Sequence, residues 1–181
     1  MSPLALISVV VAVAALILVI TPIVRWYSRY RGTRLVTCPE TKAPAAVEVD
    51  AFQAAFSDSA AKKLRLKECS RWPEREGCGQ ECLAQIERAP EECLVRTIVT
   101  KWYEGKQCAL CGKSIGKIDW LEHKPGVLGP DRKTTLWSEF RAEMLPEVMT
   151  SHQPVCWDCH IAATFRSQFP DLVVDRPWKK H

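Results

Sequence analysis

Nine cysteines carry most of the chemistry open to this 181-residue chain. Four of them form two C-x-x-C pairs, Cys108/Cys111 and Cys156/Cys159. In a reducing compartment, two such pairs are the donor set of a tetrahedral four-thiolate zinc site. Local sequence agrees. Cys111 is followed by Gly112-Lys113, a loose turn that lets backbone amides face the sulfurs. The second pair falls where a helix is expected to start, and a helix N-terminus favours thiolates. Cys38, Cys69, Cys78 and Cys82 make a second candidate quartet of less specific spacing. Cys78 and Cys82 are four residues apart and share a face if that segment is helical. Unmetallated core thiols or disulfides are the alternatives for this quartet. Metal-free thiol pairs are the alternative for the first, while thioredoxin-like redox chemistry lacks the surrounding βαβ pattern. Cys93 is left over and reads as a small buried hydrophobe.

Whether cysteines bind metal or pair with one another depends on the compartment, and the N-terminal segment bears on it. Leu4 to Val24 is an uncharged apolar run, long enough to cross a hydrocarbon core of about 30 Å as a helix. Arg25, Arg29, Arg31 and Arg34 follow without an intervening acid, and only Met-Ser-Pro precedes it. The positive-inside rule predicts a single-pass protein of the inner (cytoplasmic) membrane, N-terminus out and C-terminal domain in the cytoplasm. Trp26, Tyr27 and Tyr30 fit an aromatic belt at the interface. A cleaved signal peptide is the competing reading. It is disfavoured by the uncharged start, the length of the run and the lack of a small-x-small cleavage site. One span excludes a channel or transporter made from this chain alone. The formal net charge of +4 matches the juxtamembrane arginines, so the rest is near neutral and a nucleic-acid-binding surface is not indicated. The bilayer is the first expected partner, and a larger membrane protein or complex the second.

Three further patterns draw on the same residues. The order knuckle, short strands, then ligands in the first turn of a helix resembles a treble clef. Cys156-Trp-Asp-Cys159-His160 spells the haem c attachment motif, with Met144, Met149, His123 and His152 as candidate second axial ligands. An iron–sulfur cluster is a further cofactor for four thiolates. The pattern CALCG…LEHKP…CWDCHIA over residues 108–166 resembles the HNH nuclease core. That resemblance implies a structural zinc on the two pairs, His123 as general base, and Glu122 and His160 as ligands of a catalytic metal. The chain departs from it by lacking the usual Asn before the second pair, where TSHQPV stands. The soluble part also resembles membrane-anchored bacterial proteins with a CPE…CSRWPER…GCG–ECL pattern, which implies no function.

The supporting elements are expected to be short. Val47 and Val49 alternate with acids, as in a strand, and Leu64-Arg65-Leu66 alternates again. Helices are predicted over 51–61, 80–88 and 91–103, the last with a core-facing stripe of Leu94, Ile98 and Trp102, its acids Glu91 and Glu92 at the dipole-favoured start, and a stop at Gly105. Residues 138–153 read as a polar connection. A final helix from about Cys156 presents Trp157, Ile161 and Phe165 on one face and halts at Pro170, before a polar tail, 171–181. Twelve prolines and seven tryptophans suggest irregular segments pinned by aromatic contacts.

The expected class is α+β: one N-terminal transmembrane helix with its arginine-rich flank (1–34), a cysteine-containing helical subdomain (35–104) and a treble-clef-like zinc-binding subdomain (105–181). No Ser-His-Asp set, phosphate-binding glycine loop or paired-carboxylate motif stands in a recognisable frame. The leading expectation is therefore a zinc-binding structural or interaction protein, an accessory subunit or recruitment module at the membrane. A membrane-anchored c-type cytochrome and an HNH-like metal-dependent nuclease are the alternatives.

Overall fold

The structure is a computed structural model that describes residues 3–56, 64–72, 74–75 and 77–172. The chain divides into two compact units, Met1–Thr97 and Ile98–His181. The polar tail beyond Leu172 lies outside the described residues, as do residues 57–61 of the helix expected over 51–61.

The first unit opens with helix α1, Pro3–Tyr30, of 28 residues. Its stretch Leu6–Tyr30 contains an 18-residue window with a mean hydropathy of 3.0 and is long and apolar enough to cross a membrane. Pro22 lies inside α1. Beside it, the Thr21 hydroxyl bonds the Ile17 carbonyl at 2.7 Å, the kind of local hydrogen bonding that accompanies prolines in apolar helices. The C-terminal end of α1 enters the unit. Tyr30 is buried, and Trp26 stacks on it at 5.5 Å and packs against the core. Of the three aromatics expected in an interfacial belt, only Tyr27 is exposed.

Three antiparallel strands follow in the order β1 (Thr33–Thr37), β2 (Pro44–Val49) and β3 (Leu66–Cys69). Alternation places Ala45, Val47 and Val49 of β2 inward with Val36 of β1, as the period of two requires. Helix α2 (Ala51–Phe56) and helix α3 (Leu83–Arg88) complete the core through Ala51, Ala54, Leu83 and Ile86. The fourth arginine of the expected topology signal has another role. Arg34 is inward-facing on β1 and fully buried. Its guanidinium donates to the carbonyls of Arg29, Tyr30 and Gly32 at the end of α1, and to Pro90 O at 3.2 Å. It satisfies the orphan carbonyls of a helix terminus, and the flanking signal rests on Arg25, Arg29 and Arg31, all exposed.

Helix α4 (Val95–Tyr103) is shorter than expected, because Glu91 and Glu92 lie in turns before it. Its buried residues are Val99 and Tyr103, one position round from the predicted stripe. Trp102 stays half-buried, donating its indole N–H to Met149 O at 3.1 Å with the Lys106 ammonium 3.6 Å from its ring centroid. In the second unit a three-stranded antiparallel sheet runs β5 (Thr134–Leu136), β4 (Gly126–Leu128), β6 (Gln153–Val155). The segment expected as a polar connection instead holds helix α5 (Leu145–Ser151), started by Pro146 in its first turn and buried through Leu145 and Val148. Helix α6 (Trp157–Gln168) contacts β4 and β5. Its buried residue is His160, whereas Ile161 and Phe165 of the predicted face are exposed.

Candidate metal centre

Residues 106–115 form a tight hairpin. Ile115 N bonds Lys106 O, Cys108 N bonds Lys113 O at 2.9 Å, and Gly112 N bonds Cys108 O at 2.8 Å. Gly112 closes this turn with φ +71, a conformation that costs glycine little. The hairpin is tied to β6 by the Ala109 N bond to Pro154 O at 2.8 Å. Just beyond β6, Cys156 sits at the N-cap of α6, and Cys159 lies in its first turn. Two local structures thus each present a pair of thiols, and the sheet brings the pairs together.

The sulfurs of Cys108, Cys111, Cys156 and Cys159 all lie within 4.8 Å of one another. Cys111 and Cys156 are 3.8 Å apart. A tetrahedron with metal–sulfur bonds of about 2.3 Å has edges of about 3.8 Å, while a disulfide closes to about 2.05 Å. All nine cysteines are free. Burial raises the Cys108 thiol, but the amides of Cys156, Cys111 and Leu110 outweigh it and hold the group at about 6. The Cys156 amide is 3.3 Å from that sulfur. Burial and then the neighbouring thiols push Cys159 up, and burial raises Cys156 as well. Thiols crowded this closely oppose one another's ionisation. A bound cation reverses the balance, because coordination deprotonates thiols outright. The donor set, its spacing and its amide support fit a metal ion.

The seat of α6 depends on an absent side chain. His160 packs over Gly126 of β4, where an added Cβ would lie 3.1 Å from His160 Nδ1 and 3.1 Å from Thr135 O. The Gly126 carbonyl accepts from the Tyr103 hydroxyl, which in turn accepts the Trp137 indole N–H at 2.8 Å. Burial pushes the Tyr103 hydroxyl pKa up, keeping this donor protonated. Nothing in the sequence marked Gly126 or Tyr103 as supports of the site.

The residues of the other readings are placed differently. His160 is 5 % exposed, and its Nδ1 is buried without a partner. Glu122 and His123 gather with Asp119, all three exposed and their ligand atoms mutually within 4.8 Å; His160 is not in that group. Asp119 Oδ1 accepts the Leu121 and Glu122 amides at 2.8 and 3.2 Å, so its proximity to the other two is the geometry of a turn. The His123 ring meets Trp157 edge-on at 6.3 Å. His152 lies against Phe140 at 5.4 Å, and Met144 is exposed.

Cys38, Cys69, Cys78 and Cys82 share one cavity of about 100 Å³ in the first unit. Their sulfurs are more widely spread: among the described residues, the one all-cysteine group meeting the 4.8 Å limit is that of Cys108, Cys111, Cys156 and Cys159. Cys78 and Cys82 converge through a turn, since α3 begins only at Leu83 and Gln80 has φ +56. Burial first, and then Cys69, Cys78 and Cys38, push the Cys82 thiol up to about 11. Cys93 is half-buried, its sulfur 3.8 Å from Gln85 O, and burial raises its thiol.

Comparison of the chain with protein-family models, curated proteins and solved structures gives no match. The chemistry of the site is therefore read from its own geometry.

Proposed function

We propose that this chain is a single-span membrane protein whose second unit is a zinc-stabilised, treble-clef-like binding module on the cytoplasmic face, where it holds or recruits a partner protein as an accessory subunit. The convergence of the thiols of Cys108, Cys111, Cys156 and Cys159 within 4.8 Å carries this reading. A hairpin knuckle, short antiparallel strands and a helix with two ligands at its start support the treble-clef comparison. Zinc is the ion of choice because four thiolates in a closed tetrahedral set are the donors of structural zinc sites, whereas catalytic sites keep a position open. The metal would stabilise the fold: apparent binding energies of structural zinc are about 10–16 kcal/mol, and the described strands of the second unit are three residues long. Arg25, Arg29 and Arg31 support N-out, C-in insertion, which puts the thiols in a reducing compartment.

The same observation weighs against the alternatives. Haem c would need Cys156 and Cys159 free for thioether bonds and His160 open to iron, but those thiols face Cys108 and Cys111, and His160 is buried. A nuclease would need Glu122 and His160 on one ion, and they belong to different surroundings.

The test joins elemental analysis and an absorption spectrum of the purified full-length chain to a topology assay. Zinc without a visible band, together with protection of a cysteine introduced near His181 from a membrane-impermeant thiol reagent in intact cells, supports the proposal. A Soret band, an iron-dependent band near ~400 nm, or labelling of that cysteine overturns it.

A further inference from the structure

The hairpin that carries Cys38 repeats the knuckle of Cys108, bond for bond. At Cys108, the amide of residue i bonds the carbonyl of i+5, the amide of i+4 returns to the carbonyl of i, and i+4 has positive φ. At Cys38 the corresponding bonds are Cys38 N to Ala43 O at 2.9 Å and Lys42 N to Cys38 O at 2.8 Å, and Lys42 has φ +58. A lysine in the left-handed region is uncommon and carries a conformational cost. The cost accompanies a specific product. The Thr41 hydroxyl and then the amides of Thr41 and Glu40, at i+3 and i+2, donate to the Cys38 sulfur, and the amides of Cys111 and Leu110 do so at Cys108. Position i+3, a cysteine in one knuckle, is a threonine in the other.

Three cysteines from elsewhere in the unit line the same cavity: Cys69 at the end of β3, and Cys78 and Cys82 on the turn before α3. Two of its lining residues also carry a buried polar atom without a hydrogen-bond partner among the described residues, Arg71 Nε and Trp72 Nε1. Orphaned buried donors are costly and call for an explanation. Sulfur anions beside them would supply acceptors. Arg71 and Arg75 line the cavity together with Glu40 and Glu81. Arg75 also reaches Glu40 at 3.8 Å.

We infer that Cys38, Cys69, Cys78 and Cys82 form a second thiolate site, taking a soft divalent cation such as Zn²⁺ inside the first unit. The four sulfurs are spread more widely than those of the Cys108 group, so a shared ion would require the cysteine side chains to rotate toward it. The matched knuckle, the shared cavity and the two orphan donors point to the same anionic cluster. This assignment goes beyond the proposed function; its knuckle argument rests on the reading of Cys108 as a ligand, while the shared cavity and the orphan donors do not.

The experiment uses full-length protein purified in detergent under reducing conditions, with Zn²⁺ or Co²⁺ as the only probe. Elemental analysis should find about two equivalents in wild type and in Cys93→Ser, about one in Cys78→Ser and about one in Cys111→Ser. A variant that fails to fold is bypassed by a measurement on wild type. Bound Co²⁺ should protect Cys38, Cys69, Cys78 and Cys82 from iodoacetamide, mapped by peptide mass, and a chelator should release all four together. One equivalent in wild type, with those four cysteines alkylated at the same rate with and without metal, overturns the second site. If that equivalent disappears in Cys111→Ser, the first centre stands alone. Disulfides among the four in acid-quenched cells overturn it as well. Loss of metal in Cys78→Ser but not in Cys111→Ser would retain this inference and sink the centre at Cys108.

Discussion

The two cysteine quartets reach convergence by opposite routes. At Cys108, Cys111, Cys156 and Cys159, each half of the site is made locally, by a six-residue knuckle and by the first turn of a twelve-residue helix. The sheet has only to bring two prepared halves together, and the sulfurs close to within 4.8 Å. At Cys38, Cys69, Cys78 and Cys82, one knuckle contributes a single thiol, and the other three come from a strand end and an irregular turn. Those thiols reach one cavity but remain spread. Pairing ligands in one rigid turn fixes two donors for one loop-closure entropy. Dispersed thiols need each segment fixed separately, so more of their geometry would be left for a bound ion to order. The surroundings differ too. The first unit has a continuous hydrophobic core from Tyr30 to Ile86 that folds around its cavity. The second packs its sheet with three-residue strands.

This difference predicts how the two units respond when a ligand is removed. The largest effect is expected for Cys111→Ser. Removing one thiolate from a structural site withdraws much of an apparent ~10 kcal/mol or more of coupled folding energy, so the second unit should lose cooperative unfolding and become protease-sensitive around Trp120 and Trp157. Limited proteolysis with peptide mapping reads this directly, and retained cooperativity with no metal bound would break the contrast. Cys78→Ser should be milder. The first unit keeps its apolar core, so its unfolding midpoint should fall while the transition stays cooperative; collapse equal to that of Cys111→Ser would show that the cavity, not the core, holds that unit.

Smaller changes sharpen the comparison at the sheet that joins the prepared halves. Gly126→Ala forces a methyl to within 3.1 Å of His160 and of the Thr135 carbonyl. Overpacking of this kind costs about 1–3 kcal/mol, and because it displaces α6 it should weaken metal retention as well as stability, measurable by competition with a chromophoric chelator. Tyr103→Phe leaves the Gly126 carbonyl and the Trp137 indole without their shared partner. The expected cost is about 1–3 kcal/mol, seen as a lower denaturation midpoint with metal stoichiometry unchanged. Metal loss in Tyr103→Phe would mean that the hydroxyl supports the centre more directly than the geometry implies.

The sequence by itself determined what is written in neighbouring residues. The paired C-x-x-C spacing announced a four-thiol group because two ligands three positions apart can share one turn wherever that turn ends up. The apolar run announced the long helix because length and hydrophobicity suffice for it. Alternation at Val47 and Val49 announced β2. Tertiary structure decided the rest, because burial depends on what lies opposite. The stripe expected on α4 lost to Val99 and Tyr103, and on α6 a histidine went inward while Ile161 and Phe165 stayed out. Arg34 looked like one more membrane-flanking cation in the string, yet it is fully buried as the cap of α1. Cys38, Cys69, Cys78 and Cys82 carried no shared local frame, so only the folding of three strands around one cavity could bring them together. Local spacing encodes the halves of a site; which residues face inward, and which halves meet, is set by packing between segments distant in the chain.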